Sequence, residues 1–192
     1  EGAAYLSSEI LDLGESINAY GLYRLYAGCD GEEYSFSNIT VLFDDFTSHA
    51  ILGKYFIRIN VDISGSREKV RTIVDEFLSE LSKALPPPEP LPDILDYLKQ
   101  MARRPCEVNY HPEHMDYDLE SGPGYFWIRP DGETYFMSLF PSQDEAEVYA
   151  ATLRSKDIPA VYQLKTGVIW QKESNGDFRI YSEEVLEKVL EM

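Results

Sequence analysis

Basic residues are scarce in this sequence. Its 192 residues include 17 Lys and Arg against 34 Asp and Glu, which gives a formal net charge of −17 at pH 7. Proteins that bind nucleic acid or an anionic membrane surface normally present clustered Lys and Arg to the phosphate groups. We therefore expect no direct nucleic-acid binding and no membrane association. Because opposite potential raises encounter rates, a basic protein is the expected partner.

Cysteine and long apolar runs are scarce as well. Cys29 and Cys106 are too few for a disulfide-rich scaffold, and a chain of this length can build a core without one. We expect two reduced thiols in a soluble, cytoplasmic protein. No apolar run approaches the roughly 18–20 residues that are needed to span a bilayer.

Phosphate-binding motifs are missing too. Neither G-x-x-x-x-G-K-[S/T] nor G-x-G-x-x-G occurs in the chain. Strands and helices do not alternate behind a glycine-rich first turn, as they do in nucleotide-binding parallel sheets. The sequence therefore implies no cofactor.

A proline-rich segment gives the clearest boundary signal along the chain, since five of the seven residues 86–92 are proline. Closely spaced prolines favour a stiff, extended segment. We interpret it as a connector between an N-terminal half, residues 1–85, and a C-terminal half, residues 93–192. The acidity is not confined to one of them: residues 1–85 hold 7 basic against 14 acidic residues, and residues 86–192 hold 10 against 20.

The N-terminal half is interpreted as β-β-β-α. A short helix is predicted over residues 8–18, followed by strands over residues 21–26, 34–43 and 50–63. In the last strand apolar and polar side chains alternate, which is typical of an antiparallel sheet with one buried face. Apolar residues at helical spacing from Val70 to Leu81 then predict a helix that begins at Gly65-Ser66.

The C-terminal half is interpreted as α-ββ-α-βββ-α. Pro92 opens a predicted helix that Pro105 ends. Ser142 and Glu145 have the spacing of a capping box before a second helix, and Ser182 is placed as the cap of a third. Strands are predicted over residues 125–129, 134–140, 160–164, 168–172 and 178–181. Both halves together predict an α+β fold with mainly antiparallel strands.

One segment has the residue types of a metal site. Cys106, His111 and His114 lie within nine positions among several carboxylates, and imidazole with thiolate suits zinc. The two histidines are three residues apart with Pro112 between them, which differs from the helical H-E-x-x-H arrangement. A polar surface loop is the alternative interpretation.

A second group of polar residues surrounds the third histidine. Asp44 and Asp45 follow a predicted strand, and His49 lies beside Ser48. An acid/base or nucleophilic role is one interpretation, but Ser48 lacks the G-x-S-x-G elbow. Ordinary strand-end and turn residues are the other.

Aromatic residues alternate with carboxylates in two places, and such faces suit a basic protein surface because Tyr and Trp dominate interface hot spots. The predicted partner-binding residues are Asp30, Glu32, Glu33, Tyr34, Asp116, Tyr117, Asp118 and Trp127. Ordinary strand residues are the alternative, because β propensity favours aromatics.

The sequence as a whole favours a binding or inhibitory module for a basic protein. Immunity proteins that mask a toxin, anti-defence factors and mimics of nucleic-acid charge are examples of that class. The lack of a catalytic motif favours binding over catalysis. Two alternatives stay open: a metal- or carboxylate-dependent hydrolase, and a small-ligand or carbohydrate binder that uses a Tyr/Trp surface.

Overall fold

Two antiparallel sheets of five strands each, with five α-helices, make up the part of the chain that the structure describes. This computed structural model describes residues 5–44, 47–62, 66–112, 124–128, 130, 132–171 and 178–192. The chain is therefore an α+β protein, as the sequence predicted. It divides into two compact units, Glu1–Leu91 and Pro92–Met192.

The first unit is a sheet in the order β1-β5-β4-β3-β2 with two helices. Its elements are β1 (Tyr5–Asp12), α1 (Ser16–Ala27), β2 (Glu32–Phe36), β3 (Ile39–Phe43), β4 (Thr47–Leu52), β5 (Tyr55–Asp62) and α2 (Arg67–Ala84). Because side chains alternate along a strand, the sheet has two distinct faces. One face packs against α2, and α1 lies against β4 and β5.

The core of this unit lies between the sheet and α2. Ile57, Ile59 and Val61 of β5 share a buried cluster with Val70, Val74 and Leu78 of α2. Burial of one such side chain stabilises the fold by about 1.5–3 kcal/mol. Ser66 begins α2, because its side chain accepts a hydrogen bond from the Lys69 amide. The predicted helix is confirmed.

The first two elements of the unit were predicted wrongly. The predicted helix over residues 8–18 contains the end of β1 (Tyr5–Asp12) and only the first three residues of α1 (Ser16–Ala27), and residues 21–26 lie in α1 rather than in a strand. β1 is an edge strand exposed on nearly its whole length, so its sequence has no alternating pattern to reveal it. In α1 the buried positions recur every three to four residues, as they do in a helix. Several of the residues are tyrosines, which have high β propensity, so the segment was interpreted as a strand.

Each of the two longer predicted strands is a hairpin. Residues 34–43 turn at Ser37 and Asn38, which have φ of 47° and 67°. This is the conformation of a tight two-residue turn, and without a glycine the turn gave no clear sequence signal. The predicted strand over residues 50–63 is described up to residue 62, and it turns at Gly53, which has φ of 55°.

The proline-rich segment lies in the first unit up to Leu91. A side chain at Gly53 would come within 2.9 Å of the Pro88 Cα atom, and the Ser16 hydroxyl donates to the Pro90 carbonyl at 3.0 Å. The segment is therefore packed on its own unit. Its role as a connector stays a prediction.

The second unit is a sheet in the order β6-β7-β8-β10-β9. The element bounds are α3 (Ile94–Met101), β6 (Asn109–His111), β7 (Gly124–Ile128), β8 (Thr134–Leu139), α4 (Gln143–Ser155), β9 (Ala160–Leu164), β10 (Gly167–Gln171) and α5 (Phe178–Glu191). Val168 and Trp170 face α4, whereas Gly167, of opposite parity, lies against Leu186 of α5. The sheet is thus covered by a helix on each face.

Three differences from the predicted second half are informative. Residues 178–181 are the first turn of α5 rather than a strand, and Ser182 lies inside that helix, where its hydroxyl donates to the Phe178 carbonyl. The short strand β6 was not predicted. The Ser142 cap of α4 is confirmed, since its hydroxyl accepts from the Glu145 amide at 3.3 Å.

Candidate functional site

Glu33, one of the predicted partner-binding residues, forms its contacts within the first unit. It pairs with the guanidinium of Arg24, whose side chain is only 3% exposed, and it accepts a hydrogen bond of 2.9 Å from the Tyr23 hydroxyl. Burial, and then the charge of Glu33, raise the pKa of Tyr23, so its hydroxyl stays a donor. Glu33 therefore ties β2 to α1.

Glu32 and Tyr34 tie the same strand to the other helix. Glu32 accepts from Arg71 at 2.7 Å and lies 3.5 Å from Arg67. The Tyr34 hydroxyl donates to Asp75 at 2.6 Å, and the Arg71 guanidinium lies over the Tyr34 ring. Burial and the bond to Asp75 raise the pKa of Tyr34. Both side chains thus have partners within their own unit.

Trp127 has a core position. It is 0% exposed and stacks on Tyr135, with ring centroids 5.5 Å apart. Tyr135 in turn stacks on Phe178 at 5.8 Å. A side chain in this position offers no surface to a partner. Asp116, Tyr117 and Asp118 lie outside the described residues.

The predicted metal ligands are not brought together in the described part of the chain. His111 ends β6, and His114 lies outside the described residues. Neither cysteine is a free thiol: Cys29 and Cys106 are both disulfide-bonded, which corrects the expected reduced state. A sulfur in that state is not a thiolate ligand. Among the described residues no group of three or more His, Cys, Asp or Glu side chains could hold a metal ion.

Glu107, next to Cys106, forms hydrogen bonds with two neighbouring arginines. It accepts from Arg103 at 2.5 Å and from Arg104 at 2.9 Å. These hydrogen bonds, that of Arg103 foremost, lower the pKa of Glu107 to about 2 although burial opposes them. The carboxylate therefore anchors the turn after α3.

A pocket in the first unit is the strongest candidate site. It has a volume of about 260 Å³ and lies where the end of α1, the start of β2, the end of β3 and the start of α2 meet. We call it the His49 pocket. Its lining residues are Tyr26, Ala27, Asp30, Gly31, Glu32, Leu42, Phe43, Asp44, His49 and Arg67.

The lining of the His49 pocket contains more carboxylates than basic side chains. Three carboxylates, Asp30, Glu32 and Asp44, and one guanidinium, Arg67, line it, and Arg71 pairs with Glu32 from outside the lining. Glu32 is already bonded to Arg67 and Arg71, whereas Asp30 is exposed and makes no hydrogen bond or ion pair with any described residue. The pocket therefore contains one carboxylate, that of Asp30, that no described residue neutralises.

His49 forms the inner wall of the pocket. It is 9% exposed, and neither ring nitrogen has a hydrogen-bond partner among the described residues. The centroid of its ring lies 5.9 Å from that of Tyr26 and 5.8 Å from that of Phe56, and those two are themselves 5.6 Å apart. Burial, and then the positive charge of Arg58, lower the pKa of His49, while Asp44 opposes this shift. The imidazole is therefore neutral at pH 7, with one nitrogen able to accept a hydrogen bond.

Some residues of this pocket were already candidates in the sequence analysis, but in other roles. Asp44, His49 and Ser48 were considered as a nucleophilic group, but neighbours on β4 point to opposite faces of the sheet, which separates Ser48 from His49. Tyr26 was placed on a strand, so its approach to His49 was missed. A helical assignment of residues 16–27 would have shown Tyr26 near the end of a helix that precedes Asp30.

Among the described residues no helix has both the length and the hydropathy needed to cross a bilayer. Comparison with known protein families, curated proteins and solved structures finds no match to this chain.

Proposed function

We propose that this protein binds a basic protein partner through an acidic surface centred on the His49 pocket. The observation that supports it most directly is the carboxylate of Asp30, which lines that pocket without a described partner, beside Tyr26, which is 53% exposed. A carboxylate-lined pocket with an open aromatic rim suits cationic side chains, because an aromatic face attracts a cation as well.

The rest of the chain adds a long-range contribution to the same interaction. A net charge of −17 attracts a basic partner before contact and speeds the encounter. A protein that covers the basic, nucleic-acid-binding face of its partner inhibits that partner. This is the inhibitory role expected from the sequence, in the manner of an immunity protein, an anti-defence factor or a charge mimic.

The experiment is capture from source-cell extract followed by purification of the captured protein. The expected partner has a pI above 9, and its affinity for the chain falls at least about tenfold between 50 and 500 mM salt, since salt screens exposed charges. A partner with an acidic pI, or an affinity that does not change with salt, would overturn the proposal.

The oxidation state of the cysteines indicates the compartment in which this binding occurs. Both are disulfide-bonded, and disulfides persist mainly in oxidising compartments. We propose such a compartment in place of the cytoplasm that the sequence led us to expect. Thiol alkylation in freshly lysed source cells should label neither cysteine before reduction. Labelling of both before reduction would favour the cytoplasm.

A further inference from the structure

The His49 pocket is small for a drug-sized ligand. Pockets that enclose a drug-sized molecule measure roughly 300–1,000 Å³, whereas this one measures about 260 Å³. It also lies at the surface, since Asp30 and Tyr26 are both exposed. Its size and position suit one side chain that is presented by another protein.

Charge selects the class of side chain. Asp30 carries a negative charge with no described partner, and Asp44 also lines the pocket. An anionic side chain would be repelled by Asp30. A neutral one would leave Asp30 without a counter-charge, whereas a cation interacts favourably with it.

The imidazole discriminates between the two cationic side chains. A buried polar group without a hydrogen-bond partner is unfavourable, so an acceptor nitrogen of His49 calls for an N–H donor from outside the described residues. An ammonium group is a compact point charge that prefers its hydration shell. A guanidinium has five N–H donors in a plane, so it can bond a carboxylate and an imidazole at once.

The aromatic wall favours the same group. The ring of Tyr26 stacks with those of His49 and Phe56 and is about half exposed. Guanidinium planes stack on aromatic faces, and they are less strongly hydrated than ammonium groups. Within this unit Arg67 and Arg71 already lie over the rings of Phe43 and Tyr34.

We propose that the His49 pocket receives the guanidinium of an arginine side chain from the basic partner, bonded to Asp30 and His49 and stacked on Tyr26. This inference rests on the function proposed above, because it names the group that the acidic surface recognises.

The direct test is a titration of the intact, ¹⁵N-labelled chain with N-acetyl-arginine amide, followed by amide chemical shifts. Capped citrulline, which has nearly the same shape and no charge, is the matched ligand control. We expect saturable shifts at Tyr26, Gly31 and His49 with capped arginine, and capped lysine at least about threefold weaker. Equal shifts with capped citrulline, or none with capped arginine, would overturn the inference.

Two variants locate the binding. Asp30→Asn removes one charge, and His49→Phe removes the nitrogens while keeping an aromatic ring in contact with Tyr26 and Phe56. Each should weaken capped arginine about three- to tenfold, the range for one charge-assisted contact at a partly exposed site. Asp144→Asn, an exposed carboxylate on α4, makes the same charge change and should have no effect. Wild-type affinity in both pocket variants would contradict the assignment.

The outcome is separable from that of the capture experiment. Salt-sensitive capture of a basic protein that is unchanged in Asp30→Asn and His49→Phe overturns the arginine pocket and leaves the proposed function standing. Binding of capped arginine in the pocket without any basic partner supports the pocket and overturns the proposed function.

Discussion

At the scale of single residues, carboxylates that look alike in sequence have different roles in the structure. Asp30, Glu32 and Glu33 form one acidic run, yet only Asp30 lacks a described partner. Glu33 compensates a buried guanidinium, and Glu32 bridges β2 to α2. The acidic run therefore combines one candidate recognition residue with two residues that hold the unit together.

Substitution of Glu33 tests this division. Glu33→Ala leaves the guanidinium of Arg24 buried without its carboxylate, which typically costs about 3–5 kcal/mol in a fully buried pair. Since Glu33 itself is 45% exposed, water reaches the site and we expect about 2–3 kcal/mol in urea unfolding. Glu32→Ala, whose pairs are more exposed, should cost less than about 1 kcal/mol. Equal losses for the two variants would contradict the assignment.

His49 predicts a dependence of stability on pH. In the unfolded chain it titrates near 6.5, and burial lowers its pKa in the folded state. Between these two values the unfolded chain binds more protons, so the free energy of unfolding decreases as the pH falls below about 6.5. The charged groups that act on the ring are Arg58 on β5 and Asp44, and the other charged groups of the pocket are Asp30, Glu32 on β2 and Arg67 on α2.

Urea unfolding at intervals between pH 5 and 7.5 measures this dependence. His49→Phe should lose that part of the dependence and should become flatter over the same interval. An identical pH profile for the wild type and the variant would show that His49 is not held neutral by its surroundings.

At the scale of elements, the sequence predicted best where one face of an element is buried. The strand alternation of β5 and the helical spacing of α2 both follow the core of the first unit, so their types were correct. β1 is exposed along nearly its whole length, so its sequence has no alternation of apolar and polar residues that would predict a strand. In α1 the burial of Gly21 and Arg24 broke the apolar pattern.

Turn chemistry explains the missed hairpins and part of the missed site. Ser37 and Asn38 adopt positive φ without a glycine, so β2 and β3 were joined into one strand. The His49 pocket depends on the tertiary meeting of α1, β3, β4 and α2. A single sequence places Asp44 and His49 near each other along the chain, but it contains no signal that Tyr26 and Arg67 line the same pocket.

The turn between β4 and β5 should be sensitive to added volume. Gly53 has φ of 55°, and a Cβ atom there would meet the Pro88 Cα atom at 2.9 Å. Gly53→Ala is expected to cost about 2–4 kcal/mol, from backbone strain and a displaced proline segment together.

Gly14→Ala is the matched control, because Gly14 has φ of 79° with nothing within 4 Å. It should show the strain alone, about 1–2 kcal/mol. Equal losses in urea unfolding for the two variants would mean that the proline segment does not pack on this turn.

At the scale of the whole molecule, the negative charge acts together with the pocket. Residues 1–85 and 86–192 both carry twice as many acidic as basic residues, so attraction of a basic partner does not depend on one segment. Long-range attraction governs mainly the association rate, whereas contacts within the pocket govern how long the complex persists. A loss of pocket charges should therefore increase dissociation more than it slows association.

The most direct measurement is the dissociation constant for the purified basic partner at 150 mM salt. It should be compared for the wild type, the double variant Asp30→Asn/Asp44→Asn, and Asp144→Asn combined with Glu76→Gln. The carboxylates of Asp30, Asp144 and Glu76 have no described hydrogen bond or ion pair, whereas that of Asp44 does interact with its surroundings. Both double variants remove two negative charges. We predict that the pocket variant binds about tenfold or more weakly, chiefly through faster dissociation, and that the control stays within about twofold of the wild type. Equal weakening in both variants, or none in the pocket variant, would contradict the claim that the His49 pocket is the surface that recognises the partner.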